Sequence, residues 1–208
     1  HIDVAFIAAP AADAYGNISG VQGETACGSL GYAMPDAEYA APVVAVTNHL
    51  EVYPLLPASI PQTRVDYVVR VDHIGDPRGI VSGTTTITKD PVGLVIARSA
   101  AQVIGASGLL KNGFSFQTGA GGASLAAAKF VGQAMKRDGI VGSFIMGGIT
   151  AYLVEMLNQG LFRKIIDVQD FDLDAVRPLA ANPNHVEVSA GLYASPFNSG
   201  RVVNQLAT

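Results

Sequence analysis

Apolar and polar positions along the chain fall into short runs separated by glycine-rich breaks. Ile2 to Ala9 (IDVAFIAA) is almost continuously apolar, the pattern of a strand covered on both faces. Val43 to Thr47 (VVAVT) and Tyr67 to Val71 (YVVRV) read as two further strands. Between the first two runs lie GNISGVQGETACGSLG and then YAMPDAEYA, where Pro35 starts a short helix or kinks a longer one. From Gly75 to Asp90 (GDPRGIVSGTTTITKD) helical periodicity is absent, and the composition is that of a linker or domain crossover.

Helical spacing begins after the break. Asp90 is placed to cap a helix that has Pro91 at its first position. Leu94, Ala97, Ala101 and Ile104 repeat along one side of it. Phe114-Ser115-Phe116 alternates as a short strand does, and a glycine loop and a helix to about Arg137 follow. Gly142 to Gly148 reads as a strand ending in a glycine pair, and Thr150 to Gln159 as an amphipathic helix with Gly160 as its C-cap. Lys164–Val168 is a buried strand, Leu173–Ala181 a helix and His185–Val188 a last strand. Arg201-Val202-Val203-Asn204 has the look of one more element starting. Repeated strand–helix–strand units predict an α/β fold of mostly parallel sheets covered by helices.

The glycine loop is the first candidate for chemistry. Thr118-Gly119-Ala120-Gly121-Gly122 joins a strand to a helix that opens with Ala123 and Ser124. In that arrangement backbone N–H groups and a helix N-terminus converge on negative charge. A tight turn between closely packed elements would use the same residues without a ligand. Both glycine clusters, 119–122 and 147–148, are expected just past strand C-termini, where open parallel sheets bind ligands. The phosphate motifs do not fit. A P-loop needs Gly-Lys-Ser/Thr, and Ala123-Ser124 follows Gly122 here; a dinucleotide fingerprint fails at its third glycine, where Ser124 stands.

Composition narrows the function further. Hydrophobic residues make up 49% and charged residues 14% of the 208, as in a well-buried globular chain. A net charge of −4 without a Lys/Arg cluster argues against nucleic acid, and no apolar run is long enough to span a bilayer. The one cysteine, Cys27, excludes an internal disulfide and suits a reducing, cytoplasmic setting. Cys27 invites a thiol-nucleophile reading, but a small buried residue is the expectation. His1, His49, His73 and His185 lack any metal-ligand spacing, so no metal site is expected.

Five separated stretches, HIDVAFIAAPAADAYGNISG, IPQTRVDYVVRVDHIGDP, GFSFQTGAGGASLA, FIMGGIT and KIIDVQDFD, resemble the α subunit of citrate lyase, in that order and from end to end of the chain. The family subunit is longer, so the resemblance implies an internal portion with parts of two domains of CoA-transferase type. The expected division is residues 1–75 in the first domain, 76–90 as linker and 91–208 in the second. The implied reaction exchanges acetyl for citryl on an acyl-carrier-protein thioester and releases acetate. The implied partners are the β (lyase) subunit and the γ (acyl carrier) subunit, within an oligomeric complex. This chain is expected to hold no cofactor of its own. It would act on the phosphoribosyl-dephospho-CoA arm of the carrier, or on CoA.

The resemblance sorts the candidate residues. Gln117, Thr118, Gly121 and Gly122 are the candidate catalytic positions, facing a thioester oxyanion. Gly119, Ala120, Ala123, Ser124, Gly147 and Gly148 are candidates for binding the substrate or the arm's phosphates. Many related CoA-transferases use a glutamate on the strand after the glycine loop, but this chain has Phe144-Ile145-Met146 there and no carboxylate. Direct attack by citrate, without a covalent glutamyl-enzyme, is therefore expected. Glu155, the nearest glutamate along the chain, belongs on the solvent side of its helix. Citrate's carboxylates call for cations; Arg64 and Arg78 are preferred over Arg98 and Lys129, and Asn17 and Ser19 are further loop candidates. A CoA-transferase for another acid using free CoA, a sugar-phosphate isomerase or sensor of related fold, and a non-enzymatic assembly scaffold are the alternatives.

Overall fold

The structure, a computed structural model, describes residues 2–80, 85–197 and 200–202. The first half contributes β1 (Ala5–Ala9), β2 (Ala11–Asp13), β3 (Ile18–Ser19), α1 (Ala33–Tyr39), β4 (Val43–Thr47), β5 (Leu50–Glu51) and β6 (Tyr67–Arg70). β1, β4 and β6 form a parallel sheet, with Ala5 opposite Val43 and Val44 opposite Tyr67. β3, β2 and β5 make a small second sheet, in which β2 and β3 are antiparallel. Sequence patterning does not announce these two- and three-residue strands.

Coverage of β1 differs from the expectation. Ala5, Ile7 and Ala9 are buried, but Phe6 between them is 72% exposed, so only one face of the strand is packed among the described residues. The packed face joins Ile18, Leu30, Ala37, Val43, Ala45 and Ile60 in one core. Below it, Asp13 pins the turn after β2 by accepting four hydrogen bonds. They come from the backbone N–H groups of Tyr15, Asn17 and Leu55 and from the Asn17 amide. Burial pushes the Asp13 carboxyl up, and these hydrogen bonds outweigh it and hold it below the usual carboxylate range.

The second half contributes α2 (Pro91–Ala106), β7 (Phe116–Gln117), α3 (Gly122–Asp138), β8 (Gly142–Ile149), α4 (Ala151–Asn158), β9 (Phe162–Asp170), α5 (Leu173–Ala181), β10 (His185–Glu187) and α6 (Ala190–Ala194). Residues 81–84, Val203 and Asn204, which the sequence pattern assigns to a linker and to a further element, lie outside the described residues. The Asp90 carboxylate caps α2 by accepting from Gly93 N at 2.6 Å. Asp172 does the same for α5 through Ala175 N at 2.9 Å. The four strands are parallel throughout, in the order β10-β9-β8-β7. Their apolar side chains meet Val131, Met135, Leu153 and Met156 from α3 and α4 in a second core.

The glycine pair is placed differently from the expectation. Gly147 and Gly148 lie inside β8, where the register with β9 shifts between them. A Cβ at Gly148 would fall 1.9 Å from the Phe171 ring, so the bare backbone there makes room for that ring.

Asp13→Ala should lower unfolding free energy by about 3 kcal/mol, because it strips partners from several buried donors at once. Denaturant titration of the full-length subunit measures this. Loss below about 1 kcal/mol would mean that the turn does not depend on the carboxylate.

Candidate active site

β7 ends at Gln117, and the chain turns through Thr118–Gly121 into α3. The Thr118 hydroxyl donates to Ser124 O at 3.1 Å and ties the loop to the first helical turn. Gly121 is the N-cap and offers no side-chain cap, so the first N–H groups of α3 point out of the helix uncapped by it. The four loop positions differ in surroundings. A Cβ on Gly121 would meet nothing within 4 Å, and one on Gly119 only Ser124. At Gly122 it would come 2.9 Å from Thr86 O, and Gly122 O accepts a hydrogen bond from Thr88 N. Gly122 therefore anchors the cradle to the segment of residues 86–88, while Gly119 and Gly121 face open space.

The carboxyl ends of β8, β9 and β10 form the floor beside this cradle. Gly147 has φ +112°, a backbone that side-chain-bearing residues rarely adopt, and lies next to Gln117. A loop from the first half, Gly28–Gly31, presses onto the ends of β9 and β10. Ser29 N donates to Asp170 Oδ2 at 3.0 Å, Ser29 Oγ donates to Asp167 O at 3.1 Å, and Leu30 N donates to Glu187. The approach is close enough that a Cβ on Gly28 would overlap the Asp170 carboxylate. Small clefts open beside this contact. One of about 160 Å³ touches Cys27, Ile80 and Pro10, and one of about 230 Å³ touches Cys27, Ser29, Asp170 and Phe171.

Three buried groups meet under the loop. His185 Nε2 lies 2.7 Å from Asp167 Oδ2, and ligand-type atoms of Asp167, Asp170 and His185 lie within 4.8 Å of one another. Burial pushes the Asp167 and Asp170 carboxyls up, Asp170 to about 9, and the two carboxyls raise Asp170 further by facing each other. Burial also lowers His185 to about 4, so its contact with Asp167 is a hydrogen bond of a neutral imidazole at pH 7, not an ion pair. One oxygen of each carboxyl and Nδ1 of His185 have no protein partner. Chemically the trio can share a proton or hold a divalent cation. Histidine spacing along the chain cannot reveal it, because the ligands come from two adjacent strands.

The remaining predicted residues do not gather at the cradle. Asn17 is buried in the first half with its amide fully engaged, donating to Asp13 and Gln62 and accepting from Gln62 N. Ser19 is completely buried in β3. Arg78 is exposed and paired with Asp76 at 2.7 Å, Arg64 is exposed, and Arg98 lies over the Phe130 ring. Glu155 is exposed on α4, as expected, and accepts from Gln159. Burial raises the half-buried Cys27 thiol to about 11, with Asp170 and Glu187 adding to the shift, which removes it as a nucleophile at neutral pH. Sequence reasoning missed Asp167, Asp170, Glu187 and Tyr193, all at the carboxyl ends of the second sheet.

The whole chain, residues 1–208, matches the family described as citrate lyase, alpha subunit (CitF). The chain belongs to the citrate lyase alpha-subunit family. It is 50% identical over 205 residues to the citrate lyase alpha chain of Klebsiella pneumoniae, covering 99% of this chain and 40% of that one. With the alpha chain of Haemophilus influenzae the identity is 49% over 205 residues, covering 99% and 41%. A crystal structure of the citrate lyase alpha subunit of Streptococcus mutans, in complex with citrate, superposes with a TM-score of 0.95 at 56% identity, covering 99% of this chain and 41% of that one. The chain thus spans about 40% of the length of these alpha chains. The 4-hydroxybutyrate CoA-transferase of Porphyromonas gingivalis, at 17% identity and a TM-score of 0.53, shares the fold. No helix of the described residues is long and apolar enough to cross a membrane.

The carboxyl pair gives the alpha-subunit chain a signature in pH. An unfolded aspartate loses its proton near 3.8, whereas folded Asp170 keeps one to about 9. The native state then binds the extra proton, and stability falls as pH rises through this range. His185 works the other way, but only below about 6.5, where the unfolded imidazole takes up a proton that the buried one refuses. From pH 7 to 9 the carboxyl pair governs. Thermal unfolding of the full-length subunit should show a midpoint that declines from pH 7 to 9. Asp170→Asn, which keeps the acceptor for Ser29 N and supplies a permanent donor to Asp167, should flatten that decline. Parallel pH profiles for the two proteins would remove the shared proton from the account.

Proposed function

We propose that this chain carries the transferase centre of a citrate lyase alpha subunit. The acetyl group on an acyl-carrier-protein thioester is exchanged there for citryl, and acetate leaves. The observation that supports this most is the cradle. Gly119–Gly121 leave the start of α3 and the end of β7 open at the carboxyl edge of a parallel sheet, inside a chain of this family. The carrier's phosphoribosyl-dephospho-CoA arm, or the oxyanion of its attacked thioester, fits the open N–H groups of such a helix start. Gln117, Thr118, Ala120, Ala123 and Ser124 line the same turn, and Arg64, exposed in the first half, stays a candidate cation for a citrate carboxylate. The β (lyase) and γ (carrier) subunits are the partners of this reading, and the cytoplasm its setting.

Direct attack by citrate is the proposed route. β8 carries no carboxylate, and the acids on neighbouring strands are poor nucleophiles. Asp170 is raised to about 9 and so is protonated at neutral pH, while Glu187 is engaged by the Leu30 N–H. The cradle's donors then stabilise the oxyanion of the tetrahedral intermediate without a side-chain nucleophile.

Two measurements test this. Gly121→Val has open space and an ordinary φ of −70°, so the protein should fold normally. Its transferase activity in the assembled complex should drop by a hundredfold or more, roughly what loss of an oxyanion donor costs. Full activity in a folded Gly121→Val subunit sinks the cradle assignment. Separately, treating the complex with acetyl thioester and then hydroxylamine should leave all carboxylates unmodified in mass spectra. A derivatised Glu or Asp would establish a covalent route instead.

A further inference from the structure

β7 and β10 are the outermost strands of the second sheet, yet the end of β7 touches a residue that follows β10. Gln117, the last residue of β7, donates from Nε2 to the hydroxyl oxygen of Tyr193 at 2.7 Å, across 76 positions of sequence. To make that contact, the chain after β10 must cross the ends of β9 and β8, roughly 14 Å at the spacing of neighbouring strands. α6 does so under constraint from two sides. Ser189 Oγ caps it by accepting from Leu192 N at 2.9 Å, and Ala190 N donates to Gly31 O of the first half at 2.8 Å.

The donor inventory of this contact is uneven. A glutamine amide has two N–H donors and a phenol has one O–H. The hydrogen bond uses one amide N–H and a lone pair of the phenol oxygen. It leaves the second N–H of Gln117 and the O–H of Tyr193 as neighbouring donors. A hydroxyl that accepts a hydrogen bond is polarised and donates more strongly. Gln117 is exposed and Tyr193 half-buried, so both can be reached. The Gly147 backbone lies alongside, where a Cβ would come 3.4 Å from Gln117 Nε2. Two donor atoms 2.7 Å apart suit the two oxygens of a carboxylate.

We propose that Gln117 and Tyr193 form a carboxylate-binding pair for a di- or tricarboxylic acid. The pair holds one carboxylate of the acid so that another faces the thioester in the cradle. This rests on the transferase reading above and adds Tyr193 to it. A monocarboxylic acid held in the same way has no second carboxylate to present, so the pair also sets specificity.

The test is calorimetric titration of the full-length subunit with citrate, succinate, malonate and acetate. Tyr193→Phe and Gln117→Leu should each weaken citrate binding roughly tenfold or more, the cost of one hydrogen bond to a charged group. The double variant should lose little beyond either single one, since the two donors act as a unit. Thermal midpoints should not move. In the assembled complex the KM for citrate should rise while that for the thioester stays. Gln117→Leu alters an exposed side chain and carries the test if Tyr193→Phe does not fold. Wild-type affinity in both variants, or an affinity loss that tracks a falling midpoint, overturns the proposal. Tyr193-dependent binding of succinate or malonate but not of citrate upholds the pair and removes the citrate reading. Binding of none of these acids by the wild type overturns both.

Discussion

The approach of Gly28 to the Asp170 carboxylate sets the relation between the two halves of the chain. Two sheets of parallel strands each present a carboxyl edge, and the loop from the first lies on the edge of the second. Only a residue without a side chain can bring that backbone so near a buried acid. Ser29 and Leu30 then satisfy the acids of β9 and β10 with backbone N–H groups, and Gly31 accepts from the start of α6. The small cleft lined by Cys27, Ser29, Asp170 and Phe171 opens beside this contact. A buried acid, its proton and a glycine loop together fix what faces what.

The same edge shows how burial can change the chemistry that a residue type suggests. Asp170 and Asp167 sit where a nucleophilic carboxylate would be useful, but desolvation keeps a proton on the pair. Cys27, half-buried beside Asp170 and Glu187, is held as a thiol. Groups that read as reactive in isolation are silent here. Hydrogen-bonding capacity at the exposed part of this edge is offered by backbone N–H groups of the cradle and by the donors of Gln117 and Tyr193.

Elements specified by their own residues were legible in the sequence. Asp90-Pro91 marks the start of α2, because a cap is a local hydrogen bond. β4 reads correctly from four apolar residues in a row and the β-branched Thr47 that ends them. Elements that depend on distant partners were not. β8 runs on through Gly147 and Gly148, which look like a loop until Phe171 is seen to occupy the missing side chain's place. β2, β3 and β5 are two or three residues long and exist through pairing alone. In the candidate site, the cradle was legible because strand, glycines and helix are contiguous. The trio of Asp167, Asp170 and His185 and the pairing of Gln117 with Tyr193 were not, since only the strand order brings them together. Asn17 and Ser19 misled because turn residues and ligand-binding residues are the same types.

The lengths of the strands in the second sheet differ sharply. β8 and β9, at its centre, have eight and nine residues, whereas β7 and β10, at its margins, have two and three. A foreign strand that tried to extend the sheet past β7 would find a ladder of two residues before the chain turns into the glycine loop. Past β10 it would find three, ending at the start of α6. So short a template gives a growing β-stack little to pair with. The second sheet thus keeps its longest strands inside and presents stubs at its margins, a safeguard against fibrous self-association built from strand length alone.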